Sequence, residues 1–153
     1  MMYYTTNYQG ATSNVGAATE TDHLRLLTGS TRQCMLAQLV VSARNATVGG
    51  GTLRLRRYAT PSTAGTALTP AGKDPGSQAA VTTAFTLPTI GVTATQQGSY
   101  GLSQTGAQLF FGAAEMNDTW VMQAGGGANG NMDFVSIMNG TSVPFDLTTE
   151  HME

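Results

Sequence analysis

Nine carboxylates, two histidines, one cysteine and a tight group of arginines are the side chains this 153-residue sequence offers for chemistry. His23 and His151 stand far apart and form neither HxxxH nor HExxH, the spacings that set two imidazoles on one helix face for zinc. Glu20, Asp22 and His23 make a loose carboxylate–imidazole group at the start of a strand, which reads as a solvated strand entrance. The tail Glu150-His151-Met152-Glu153 reads as exposed. Gln97-Gly98-Ser99-Tyr100-Gly101 places a glycine directly before the serine, so the GxSxG elbow and its strand-to-helix setting are missing. The glycine runs Gly49–Gly51 and Gly125–Gly130 lack a following Lys-Ser/Thr and read as hairpin loops, not phosphate cradles. A carboxylate pair for glycoside hydrolysis would have to come from Asp74, Glu115, Asp118, Asp133, Asp146 and Glu150, all isolated along the chain. Cys34 sits inside an apolar run and reads as a small buried hydrophobe. The expectation is a protein without enzymatic activity, cofactor or metal.

The arginines are the remaining signal. Arg44, Arg54, Arg56 and Arg57 are four of the seven basic residues and fall within one hairpin's length. One reading is a solvated outer strand face whose aliphatic stems cover apolar neighbours. A second is an electrostatic docking face, where guanidinium forks pair with a partner's carboxylates. A third, nucleic acid, has little support from a net charge of −2 and no aromatic interleaving beyond Tyr58.

The elements that must carry these residues read as strands. In Thr52–Tyr58, Leu53 and Leu55 point one way while Arg54, Arg56 and Tyr58 point the other. Further strands are expected over His23–Leu27, Met35–Ala43, Ala80–Phe85, Gly98–Leu102, Gln108–Gly112, Thr119–Ala124, Met132–Met138 and Val143–Thr149. Trp120, Met122 and Ala124 share one face of theirs. Asn139-Gly140 between two apolar runs signals a hairpin, and Pro144 argues that the last strand lies at an edge. Residues 1–20, with Tyr3, Tyr4 and Tyr8 in a polar setting, read as an N-terminal arm, and 21–153 as one domain. Short strands with glycine-rich turns and no sustained helical period imply an all-β, antiparallel sandwich or jelly-roll-like barrel.

Composition agrees with a rigid, neutral module. Charged residues are 10% of the chain, well below the ~25% of an ordinary globular protein. Its coat must therefore be Thr, Ser, Asn, Gln and Gly, and self-association meets little repulsion. No apolar run reaches the ~20 residues of a membrane span. The start has neither the basic nor the apolar segment of a secretory signal, so the sequons at Asn45, Asn117 and Asn139 read as incidental. The connection Pro61–Gly76 is too long for a simple hairpin, and structureless loops of that length are usually functional.

The string Leu55-Arg-Arg-Tyr-Ala-Thr-Pro-Ser-Thr-Ala-Gly-Thr-Ala-Leu-Thr-Pro, followed by Lys73-Asp-Pro and Ala79-Ala80, resembles small structural proteins of tailed bacteriophages. The acid-ended segment Ser142–Glu153 is similar to theirs as well. The resemblance implies a head decoration (cement) protein or other virion-surface component. It would be made in the host cytoplasm, bind the major capsid protein on the outer face of the shell, and act as a homo-oligomer, a trimer. No membrane or nucleic-acid partner is expected. Contact residues on that reading are Arg54, Arg56, Arg57 and Lys73, the 61–76 connection, and Tyr3, Tyr4 and Tyr8. The alternative is a tail- or fibre-associated adhesin or carbohydrate-binding module, with Trp120 and Tyr100 as its sugar platforms.

Overall fold

A computed structural model describes residues 2–11, 20–43, 50–102, 108–111, 121–139 and 144–153. They form two antiparallel sheets packed as a β-sandwich. The strands are β1 (Tyr3–Ala11), β2 (Glu20–Leu27), β3 (Cys34–Ala43), β4 (Gly50–Thr60), β5 (Thr66–Leu68), β6 (Ala71–Gly72), β7 (Thr83–Thr86), β8 (Val92–Leu102), β9 (Gln108–Phe111), β10 (Val121–Met122), β11 (Asn131–Asn139) and β12 (Pro144–Met152). One sheet runs β10-β3-β12-β1-β6, with β9 also pairing to β3; the other runs β5-β7-β2-β11-β4-β8. Among the described residues the only helical segment is a 3-10 turn at Gly127–Asn129.

Period-two alternation builds the core. Leu24, Leu26, Leu53, Leu55, Met132 and Phe134 point inwards from the second sheet, and Leu36, Leu39, Val41, Phe145 and Leu147 meet them from the first. Cys34 is fully buried among them, and burial pushes its thiol up to about 12, so it acts as a hydrophobe.

A bulge at His23 directs two consecutive β2 side chains to the interior. Phe134 pairs with Leu24 and Val135 with Asp22, leaving His23 unmatched. His23 Nε2 lies 2.6 Å from Ser136 Oγ, its Nδ1 3.3 Å from the Tyr8 hydroxyl, and its ring meets Phe145 edge-on at 4.8 Å. Burial lowers its pKa to about 4, so the imidazole is neutral at pH 7.

Five sequence expectations change. The N-terminal arm is, over Tyr3–Ala11, a full strand: all nine residues pair with β12, and Tyr4 and Thr5 also pair with β6. Tyr4, Thr6, Tyr8 and Gly10 line its inner side, and a Cβ on Gly10 would run into the Tyr8 ring. The hairpin expected at Asn139-Gly140 would have paired the two strands it joins, whereas β11 and β12 belong to different sheets; Gly140 itself lies outside the described residues. Pro144 is not on an edge: as the first residue of β12, between β3 and β1, it leaves the rest of the ladder intact. The tail is not exposed, since His151 is buried and stacked on Tyr4 at 5.5 Å. Glu153 accepts from the Val81 and Thr82 amides at 2.9 and 2.6 Å. Gly125–Gly130 likewise links β10 of one sheet to β11 of the other rather than closing a hairpin.

Removing residues 1–11 therefore strips a paired strand and its two inward tyrosines. We expect loss of cooperative unfolding in urea or heat; a dispensable arm would leave the midpoint unchanged.

Candidate functional site: a strained, charge-poor surface

The Pro61–Gly76 connection is a strap across one side of the sandwich. β5 pairs with β7 at the margin of the second sheet, and β6 pairs with β1 at the margin of the first. Ser62 and Pro70 are buried, while nearly all the rest of the strap is exposed. Its only charged residues are Lys73 and Asp74.

Beside the strap runs a second segment, Leu87–Thr93 (LPTIGVT), which carries no charge and is exposed apart from buried Pro88 and half-buried Gly91. Thr63 and Thr89 exchange backbone hydrogen bonds of 3.0 and 2.7 Å, joining the two into one surface. Leu87, Ile90 and Val92 are 59%, 36% and 63% exposed; with Tyr3 they are the exposed large hydrophobic residues among those described. Apolar groups gathered in the open mark interaction sites more often than scattered ones do.

Backbone strain falls in the same place. The non-glycine residues with positive φ among those described are Ala64 (56°), Leu87 (49°) and Thr93 (57°). Each costs about 1–2 kcal/mol relative to the right-handed region. Ala64 lies in the strap, and Leu87 and Thr93 bracket the neighbouring loop. Such strain persists only where the scaffold over-determines the backbone, and it concentrates at functional surfaces. The scaffold contacts are the Thr63–Thr89 bridge, the Leu87 amide bonded to the His23 carbonyl at 3.1 Å, and Gly91 lying close against Thr60 and Tyr58.

Under the strap the fold brings two carboxylates together. Asp22 of β2 and Asp133 of β11 face outward from the second sheet, and Ser62 Oγ sits between them at 2.8 and 2.7 Å. All three are buried. Burial, followed by the neighbouring Asp133 charge, raises Asp22 to about 9; burial raises Asp133 to about 6. Arg25 lies close enough to favour their ionised forms, under the Phe85 ring at 4.3 Å. Tyr58, pushed up to about 12 chiefly by burial, completes the surroundings. Asp22 was expected at a solvated strand entrance; the strap buries it instead.

The predicted contact residues do not share one surface. Arg54 and Arg56 project from the outer side of β4 and both pair with Glu20, Arg54 at 3.5 Å. Their side chains are 30% and 13% exposed, so Glu20 already neutralises much of the expected docking charge. Arg57 points to the opposite, inner side and donates to the Val121 carbonyl of the facing sheet at 2.9 Å. Lys73 pairs with Glu150 at 2.6 Å. Tyr4 is buried, its hydroxyl donating to the Gln78 carbonyl at 2.9 Å, and Tyr8 packs on the core. Tyr3 alone of the three tyrosines is exposed. Arg44, Glu115, Asp118, Trp120 and the sequon residues Asn45 and Asn117 lie outside the described residues, as does the side chain of Tyr100.

A cavity of about 400 Å³ is lined by Cys34, Met35, Val121, Met152 and Glu153. Burial, with the Glu153 charge adding to it, holds the Cys34 thiol protonated, and the Glu153 carboxylate is taken up by the Val81 and Thr82 amides. Among the described residues no group of three or more His, Cys, Asp or Glu is placed to hold a metal ion. No described helix is long and apolar enough to cross a membrane. The chain matches no protein-family model and no curated protein.

Two measurements test this division. Arg56→Gln should lower stability by about 1 kcal/mol, since it removes the more buried of Glu20's two cationic partners, whereas Arg54→Gln should change it by less than about 0.5 kcal/mol. Ala64→Gly should raise stability by up to about 1 kcal/mol by relieving the left-handed backbone. Denaturant midpoints at pH 7 read both.

Proposed function

We propose that this chain is a bacteriophage virion structural protein, a decoration or cement protein. On this reading it binds the major capsid protein from outside, as a trimer, and stiffens the shell. The observation that carries the reading is the strap-and-loop surface: fixed, strained, poor in charge and studded with Leu87, Ile90 and Val92. A cement protein needs a preformed face that loses little conformational entropy on docking, because each contact is small and repeated by symmetry. The neutral coat suits close packing on a crowded shell, where long-range repulsion would oppose full occupancy. The resemblance of Leu55–Pro70 to small phage structural proteins covers the strap itself.

This surface differs from an arginine docking face in its salt response. Contacts built from threonine, proline and aliphatic side chains lose little on screening, while exposed ion pairs weaken over a Debye length of about 8 Å at physiological salt. Purified capsids lacking the chain should bind it about equally at 50 mM and 500 mM NaCl and resist heat better when coated. Ile90→Glu with Val92→Glu should abolish co-sedimentation with capsids while leaving the unfolding midpoint nearly unchanged. Arg54→Glu should bind as the wild type does. Absence of the chain from purified virions, or full binding by the Ile90/Val92 variant, would remove the basis for this reading.

A further inference from the structure

The contact between Ser62 and the two aspartates has a proton count that does not close with ionised carboxylates. A serine hydroxyl has one hydrogen, yet Ser62 Oγ lies at hydrogen-bond distance from both Asp22 Oδ2 (2.8 Å) and Asp133 Oδ1 (2.7 Å). If both carboxylates were charged, one of those contacts would be lone pair against lone pair. The remaining oxygens, Asp22 Oδ1 and Asp133 Oδ2, meet no N–H or O–H of another described residue. We propose that Asp22, Ser62 and Asp133 form a proton-held latch: one proton shared by the two carboxyls fastens the root of the strap to the second sheet, and its loss loosens the strap.

The chemistry is a simple ionisation. With the proton present, one carboxyl donates to Ser62 Oγ and Ser62 donates to its ionised partner. When the proton leaves to solvent, two buried carboxylates face each other and only one hydroxyl hydrogen remains for both. The charged and titratable groups around them are Arg25 of β2, with Glu20 on the same strand, and Arg54, Arg56 and Tyr58 of β4. β7 contributes the uncharged Phe85 over Arg25, and the strap root Pro61–Gly65 contributes no ionisable side chain. Arg54 and Arg56 are taken up by Glu20, and the guanidinium that bears on both aspartates is Arg25, so one positive charge faces two buried carboxyls and a shared proton supplies the second.

The strap is the element at stake. Ser62 is followed directly by Thr63, whose bridge to Thr89 joins the strap to the exposed loop, and by the strained Ala64. Releasing Ser62 therefore frees the segment that holds the left-handed backbone in place. The inference concerns the strap's attachment alone and stands whether or not the strap meets a capsid.

A pH window isolates the latch. A carboxyl with a raised folded pKa stabilises relative to high pH: its contribution is full below the unfolded pKa near 4 and disappears as pH rises through about 9. His23 and His151, both lowered by burial, act oppositely, but only below about 6.5. The buried thiol of Cys34 begins to matter only above about pH 8, and the phenols of Tyr8 and Tyr58 only above about pH 9. Asp133, raised to about 6, has completed its change by pH 7.

Urea unfolding of the full chain at pH 7 and pH 8 provides the test. The folding equilibrium constant should fall about tenfold across that unit, the effect of one linked proton. Asp22→Asn, whose neutral amide donates to Ser62 at every pH, should fold with a flat profile over the same range. Independently, the Thr63 and Thr89 amides of the wild type should lose hydrogen-exchange protection between pH 7 and 9, after correction for intrinsic rate. A flat wild-type profile, an unchanged slope in Asp22→Asn, or unaltered protection at Thr63 and Thr89 would each overturn the latch; the exchange arm decides it even if the variant does not fold.

Discussion

The outer face of the second sheet buries charge, and the rest of the structure is arranged around satisfying it. Glu20, Asp22 and Asp133 meet Arg25, Arg54 and Arg56 on strands β2, β11 and β4. Burying an unpaired carboxylate costs several kcal/mol, so such a face must neutralise itself, be covered, or hold a proton. It does all three. The arginines supply charge, the strap supplies cover, and the Ser62 contact requires the proton. A chain with so few charges thereby commits Glu20, Asp22, Asp133, Arg25, Arg54 and Arg56 to this one face.

That arrangement explains how an exposed surface can be strained and still fixed. Ala64, Leu87 and Thr93 hold unfavourable backbone geometry because their neighbours are tied down: Ser62 by the aspartates, Thr63 by Thr89, and Leu87 by the His23 carbonyl. His23 in turn owes its inward position to the β2 bulge, which also sends Asp22 outward. One irregularity in one strand therefore sets a core contact to Phe145 and the seat of the strap at once. The same economy appears at the chain's end, where buried His151 and the amide-bound Glu153 lock β12 against the 81–82 segment.

Much of the fold was legible because alternation is local. Leu53 and Leu55 inward with Arg54 and Arg56 outward needs no knowledge of the partner strand, and most expected strands fall where period-two patterning put them. Tyr3–Ala11 was missed because its polar composition masked its period: Tyr4, Thr6, Tyr8 and Gly10 alternate with outward Tyr3, Thr5, Asn7 and Gln9. Asn139-Gly140 misled because turn chemistry constrains the turn and not which sheet the chain enters next. Arg57 was grouped with its neighbours by proximity, although the alternation that placed Leu55 also turns it inward. The aspartate pair lay beyond sequence reading. Its members stand more than a hundred positions apart, and the bulge that aligns them has no residue signature. The apolar loop at Leu87–Val92 had one, a charge-free stretch with Pro88 and Gly91, but exposure is set by tertiary packing.

The strap's seat depends on a proton held between Asp22 and Asp133, and that proton can be observed directly. Side-chain carboxyl carbon shifts, followed by NMR from pH 4 to pH 10, report each aspartate's ionisation without unfolding the protein. One of the two should remain protonated at pH 7 and titrate near pH 9. Both carboxyls fully ionised by pH 6, in a chain still folded, would contradict it.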